Sequence, residues 1–149
     1  MEFSALRTIF VFLSTKAMGK GKILLIDDDP TSNFLSKFVL SQIDESIHVR
    51  IFADCNEILE QLHTIDFMPN DLLLLDINLG LCSGWDVLEI IESRNQLNQA
   101  CIPQIVMLSS SINSEDRSKA EGYKSVSGFI SKPLNEESIR PFLSTLYPA

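Results

Sequence analysis

Three stretches of the chain are apolar without a break, and each runs straight into polar side chains. Ile23-Leu-Leu-Ile26 ends in Asp27-Asp28-Asp29-Pro30, Leu72-Leu-Leu-Leu75 in Asp76, and Ile105-Val-Met-Leu108 in Ser109-Ser110-Ser111. Four apolar residues in a row suit a strand buried on both faces, as in a parallel sheet covered by helices. Ile47 to Phe52 alternates as a further strand, and Val126 to Ile130 makes the last one before Ser131-Lys132-Pro133. Between them the spacing turns helical. Residues Thr31 to Gln42 place Phe34, Leu35, Phe38, Val39 and Ile43 at helical intervals and are expected to bury them as core. Ala53 to His63 carries Ile58, Leu59 and Leu62 inward, Gly84 opens a helix with Trp85, Leu88 and Ile91 on one packing face, and Ser114 to Glu121 reads as a short polar helix. Glu92 to Ile102 is long and polar, an extended helix or loop. Asn135 is placed to cap a last helix through about Leu146, with a kink or a late start at Pro141. Five strands alternate with five helices, and right-handed crossovers make that pattern a doubly wound parallel α/β sheet.

Composition narrows the picture. A chain of 149 residues makes one domain with a sizeable core. The formal charge of −8 and the lack of a basic run argue against nucleic acid, leaving proteins or small ions as partners. Cys55, Cys82 and Cys101 are odd in number and have no metal-type spacing, so neither a disulfide framework nor a zinc site is expected, and a reducing cytoplasm fits. His48 and His63 are isolated and read as surface or structural residues. Ile9 to Leu13 is apolar but too short to span a bilayer, and no signal-peptide core surrounds it. Residues 1–19 are therefore set outside the fold as an N-terminal extension, and residues 20–149 form the domain. Met18 offers a second start, ahead of which residues 1–17 are expected to be dispensable.

The polar residues matter for where they fall. In open α/β sheets ligands bind beyond the carboxyl ends of the strands, and Asp27-Asp28, Asp76, Ser109 and Lys132 all fall at that edge. Any one of them reads as turn chemistry; four together read as a site. Carboxylates ~4 Å apart repel by about 4 kcal/mol per pair at an effective dielectric near 20, so the cluster calls for a divalent cation. A set of oxygen ligands suits Mg2+. A carboxylate held there can attack a phosphoryl group, a reaction that needs positioning and charge neutralisation more than strong basicity. Lys132 can share in that neutralisation, Ser109 offers a hydroxyl donor, and Ser110 is small enough to admit the phosphoryl group.

These four motifs, Ile-Asp27-Asp28-Asp29-Pro, Leu-Leu-Asp76-Ile-Asn-Leu, Leu-Ser109-Ser110 and Phe129-Ile-Ser-Lys132-Pro133, resemble those of the receiver domain of two-component response regulators over about Lys22 to Leu146. The resemblance implies a flavodoxin-like five-stranded sheet in the order 2-1-3-4-5. By matching position, it implies Asp76 as phospho-acceptor, Asp28 as a direct Mg2+ ligand, Asp27 as a ligand through water, and Asn78 as the donor of a backbone carbonyl to the metal. Lys132 would pair with the phosphoryl group, Ser109 would bond it in the active state, and Phe129 holds the switch-aromatic position. The implied partners are a sensor histidine kinase or histidine phosphotransfer protein and a downstream protein target. A homodimer through the fourth helix, fifth strand and fifth helix is also implied, with no nucleic acid and no membrane involved. Such a protein catalyses only its own phosphorylation and dephosphorylation in the cytoplasm, and with no effector region before Ala149 it is expected to stand alone. One departure is Leu79-Gly80 where the family usually has Met-Pro, a looser loop that keeps Ser83-Gly84 in register.

Two other readings share the fold class. Asp27-Asp28-Asp29-Pro30-Thr31 matches the Asp-x-Asp-x-Thr signature of haloacid-dehalogenase-like phosphatases, with Asp27 as nucleophile and Asp29 as acid. That reading lacks the later acidic pair, since only Glu136 and Glu137 follow Lys132, and it leaves Asp76 unexplained. A catalytically silent protein-binding domain does not account for a complete site.

Overall fold

The computed structural model describes residues 21–98, 101–111, 113–144 and 146. In chain order the elements are β1 (Ile23–Ile26), α1 (Pro30–Ile43), β2 (Val49–Phe52), α2 (Cys55–Gln61), β3 (Leu72–Asp76), α3 (Gly84–Asn98), β4 (Gln104–Ser109), α4 (Ser114–Glu121), β5 (Val126–Ser131) and α5 (Glu136–Leu143). The five strands pair in parallel in the order β2-β1-β3-β4-β5, as expected. The expectation for residues 1–19 lies outside the described residues. Helix α3 takes up the polar segment as far as Asn98, and α5 passes through Pro141 but stops at Leu143, short of the expected end. His48 and His63 are exposed.

The continuous apolar runs are explained by two cores, one on each side of the sheet. Leu24, Ile26, Leu73, Leu75, Ile105 and Met107 face a cluster completed by Ile58 of α2 and its capping residue Leu62, by Trp85, Leu88 and Ile91 of α3, and by Ala120 of α4. The alternate residues Ile23, Leu25, Leu72, Leu74, Val106 and Leu108 face Leu40 of α1 and Ile139 and Leu143 of α5. Both pleat faces are thus buried, so polar residues are displaced to the strand ends.

Two expectations fail. Phe34, Leu35 and Phe38 are not core; they are 68%, 43% and 54% exposed, and α1 turns Asn33, Ser36 and Leu40 to the sheet instead. The reason lies in the helix's first turns. Asp29 caps α1 by accepting from the Thr31 amide, Ser32 Oγ donates to Asp27 Oδ2 at 2.7 Å, and Asn33 Nδ2 donates to the Asp27 carbonyl at 2.8 Å. These bonds fix the helix's rotation, and Ser36 is small enough to lie against the sheet. The second failure is Cys55 and Cys82, which form a disulfide across 27 residues of sequence, while Cys101 is free and exposed. The 27-residue separation carries no motif. The fold supplies the proximity, because the loops leaving β2 and β3 rise at the same edge on the side of α2 and α3.

Candidate functional site

Strand β1 carries Asp27 one residue past its end, in the same pleat parity as Ile23 and Leu25, and β3 carries Asp76 in the parity of Leu72 and Leu74. The two carboxylates therefore emerge on one side of the sheet. Asp27 is fully buried and Asp76 is 6% exposed, while Asp28, of opposite parity, is exposed. One carboxylate oxygen from each of the three lies within 4.8 Å of the others. Between Asp27 and Asp76 stands Lys132, whose Nζ is 2.5 Å from Asp27 Oδ2 and 2.7 Å from Asp76 Oδ2. Its backbone is held to β4 by a bond from the Lys132 amide to the Ser109 carbonyl at 2.7 Å, and the Lys132–Pro133 peptide is cis.

The electrostatics separate the two buried acids. Burial pushes the Asp27 carboxyl up, but bonds from the Lys132 ammonium, the Asp29 amide and the Ser32 hydroxyl together hold it below the usual carboxylate range. For Asp76 burial outweighs the Lys132 ammonium and the Asn78 amide, which donates to Oδ1 at 3.1 Å, so its carboxyl sits above that range. Burial lowers Lys132, yet its bonds to both carboxylates raise it overall and keep it a cation.

The loop after β3 closes over this cluster. Asn78 and Ser83 form an antiparallel bridge, the Leu79 amide donates to the Cys82 carbonyl at 3.2 Å, and the Gly84 amide donates to the Ile77 carbonyl at 2.7 Å. Gly80 turns the loop with φ +76°, a conformation that favours glycine, and a Cβ there would lie 3.3 Å from Asp28 Oδ2. Ser83 and Asp86 then start α3 by exchanging bonds between side chains and amides.

Ser109 stands apart from the carboxylates in its bonding. Its Oγ donates to the Ser111 carbonyl at 2.8 Å and accepts from the Ser111 amide at 3.2 Å. Phe129 is half-buried against the core on the α2, α3 and α4 side, with the Arg117 guanidinium 5.5 Å from its ring, and lines a cavity of about 250 Å³ with Ala120, Glu121 and Gly128. Sequence reasoning missed Ser32 and Asn33. Their signal was available: polar residues three and four positions after the capping Asp29, where a helix turns back to its own start.

The sequence profile of the response regulator receiver domain matches residues 23–143. The chain belongs to that family. Among solved structures, this receiver domain is similar to a two-component response regulator from Cytophaga hutchinsonii, at 23% identity and a TM-score of 0.72 over 86% of this chain and 97% of that one. It is also similar to a two-component response regulator from Legionella pneumophila (22%, TM-score 0.68, over 85% and 98% of the two chains). A chemotaxis response regulator of Vibrio cholerae matches as well (20%, TM-score 0.64, over 87% and 100%). At these identities the likeness is one of fold. Comparison with curated proteins finds no match. No helix among the described residues of the receiver domain is long and apolar enough to cross a membrane.

Proposed function

We propose that this receiver domain takes a phosphoryl group from a histidine of a sensor kinase or phosphotransfer protein onto Asp76 and passes the signal on through protein contacts. The observation that carries the reading is Lys132, bonded at once to Asp27 and Asp76 in a pocket with three converging carboxylates. One cation balances only part of that charge, and the remaining carboxylate oxygens are hard donors that fit Mg2+. Mg2+ held by Asp27, Asp28, Asp76 and the Asn78 backbone carbonyl would neutralise phosphoryl oxygens as a Lewis acid. Asp76 attacks phosphorus through a carboxylate oxygen, the phosphorus–nitrogen bond to the donor imidazole breaks, and the imidazole leaves and takes a proton from water. Lys132 then pairs with the phosphoryl oxygens.

The exposed apolar stripe of α1 supports the partner. Phe34, Leu35 and Phe38 lie on solvent, and Leu35 reaches a groove shared with Thr31, Ser110, Lys132 and Pro133 beside the acid cluster. An apolar stripe at the mouth of a site suits a histidine-bearing helix from the donor. Output is read from the other side. The new acyl phosphate adds charge that Ser109 can meet only by giving up the Ser111 carbonyl, which draws the following loop inward. Phe129 then turns toward the vacated space, and the face of α4, β5 and α5 is remodelled for a downstream protein or a second copy of the chain.

The phosphatase reading is less well supported, because Asp29 is exposed, spends its carboxylate capping α1, and lies outside the group of three acids. Labelling by a small phosphodonor with Mg2+ separates the two. Asp76→Asn should abolish the acyl phosphate label while Asp27→Asn only weakens it; full labelling of Asp76→Asn with loss in Asp27→Asn would establish the phosphatase instead.

A further inference from the structure

The disulfide has a position that the phosphotransfer reading does not use. Cys82 lies in the returning limb of the loop that starts at Asp76 and Asn78, and Cys55 begins α2 directly behind its capping residue Asp54. Apart from that bond, the short loop is held by the Asn78–Ser83 bridge, by the Leu79 amide on the Cys82 carbonyl and by the Leu79 side chain, which is buried in the core. Its tip is open to solvent, with Leu81 87% exposed. At Gly80 the same loop passes against Asp28, so whatever fixes the loop also fixes the wall of the acid cluster. The disulfide ties this wall to the start of α2, whose Ile58 is fully buried in the core.

The two sulfurs differ in access. Cys55 is 7% exposed, whereas Cys82 is half-buried at the core's edge. A thiolate from solvent therefore meets Cys82 first. Bridges reachable in this way open and close with the thiol pool around them.

We propose that Cys55 and Cys82 are a redox-active pair, a second modification site, whose bridge orders the loop after Asp76 and so raises the site's affinity for a divalent cation. This rests on the cation site put forward above. In the reductive direction a dithiol's thiolate attacks Cys82 Sγ, the Cys55–Cys82 bond breaks, and Cys55 leaves as a thiolate that takes up a proton. The dithiol's second thiol then displaces Cys82, which is also protonated. The protein gains two hydrogens and the dithiol becomes a cyclic disulfide; the reverse exchange, with an oxidised dithiol, closes the bridge. In the bridged form the carbonyls of the loop are already in place when the cation arrives. In the dithiol form the cation must order the loop itself, so binding weakens.

The test uses the full chain in two redox states. Alkylation before reduction should add one group, on Cys101, and after dithiothreitol three groups. Titration with Mg2+ by calorimetry should then give a dissociation constant roughly fivefold larger for the reduced chain, the scale expected when about one loop residue is ordered on binding. Cys82→Ser should bind like the reduced chain in either state, and Cys101→Ser should respond as the natural chain does. Three groups added without reduction after treatment with an oxidised dithiol would overturn the proposal, as would equal Mg2+ affinity in the two states. Absence of Mg2+ binding in both states would instead remove the cation site, and the coupling with it.

Discussion

Strand β3 has an aspartate at each end, and the two are used in opposite ways. Asp71 precedes the strand and is 1% exposed; Asp76 ends it and is 6% exposed. Asp71 accepts from the Lys22 amide on one oxygen and the Met68 amide on the other, each at 2.8 Å, with the Lys22 ammonium 3.5 Å away. Its oxygens are spent tying β1 and the preceding turn to β3. Asp76 accepts from a single amide and otherwise from Lys132, which it shares with Asp27, while Asp28 crowds the same space. Burial alone therefore says little about role. What distinguishes a site from a structural clamp is charge brought together faster than the protein's own donors can satisfy it.

That contrast can be broken by mutation. The largest effect should come from Asp76→Asn, which removes the proposed nucleophile, so acyl phosphate formation falls to background in a labelling assay. Stability should not fall with it. The raised Asp76 carboxyl means that the folded chain disfavours its charge: as pH rises from below the unfolded value through the folded one, ionisation subtracts from stability. Asp76→Asn should thus melt no lower than the natural chain at neutral pH without Mg2+, and any gain should shrink in acid. A clear drop in melting temperature would make Asp76 a structural residue like Asp71.

Asp71→Ala should show the reverse. It strands two amides at about 1–3 kcal/mol each, for a fall in melting temperature of roughly 5–15 °C, measured by calorimetry. The folded fraction should still be labelled by a small phosphodonor. Next in size, Mg2+ should stabilise the natural chain by about 2.7 kcal/mol at one hundred times its dissociation constant, read as a higher melting temperature, and chelation should reverse this. Asp71→Ala should keep the Mg2+ increment, and Asp28→Asn should lose most of it. The smallest change in stability should come from Phe34→Ser with Phe38→Ser, within about 0.5 kcal/mol since both rings already face water. Transfer from a phosphorylated histidine partner should nevertheless slow, while labelling by a small phosphodonor stays unchanged.

The sheet was legible because strands buried on both faces must be apolar throughout, and any polar residue marks an end. That rule located Asp27, Asp76, Ser109 and Lys132, and the order of the strands then put them on one edge. It failed at α1, where apolar spacing pointed to Phe34, Leu35 and Phe38 but local bonds from Ser32 and Asn33 to Asp27 set the rotation. Hydropathy carries no information about which way a helix is pinned by its first turn. The disulfide was invisible for another reason: Cys55 and Cys82 meet only because β2 and β3 flank β1, a fact of topology that no spacing encodes.

The most direct measurement is chemical trapping of the phosphorylated residue. The full chain is treated with a small phosphodonor and Mg2+, then with borohydride, which reduces an acyl phosphate to an alcohol and leaves free carboxylates alone, and the modified peptide is located by mass spectrometry. The account predicts homoserine at position 76 and aspartate at positions 27, 28, 29 and 71. Reduction at position 27, or no reduced residue at all under conditions that load Mg2+, would contradict it.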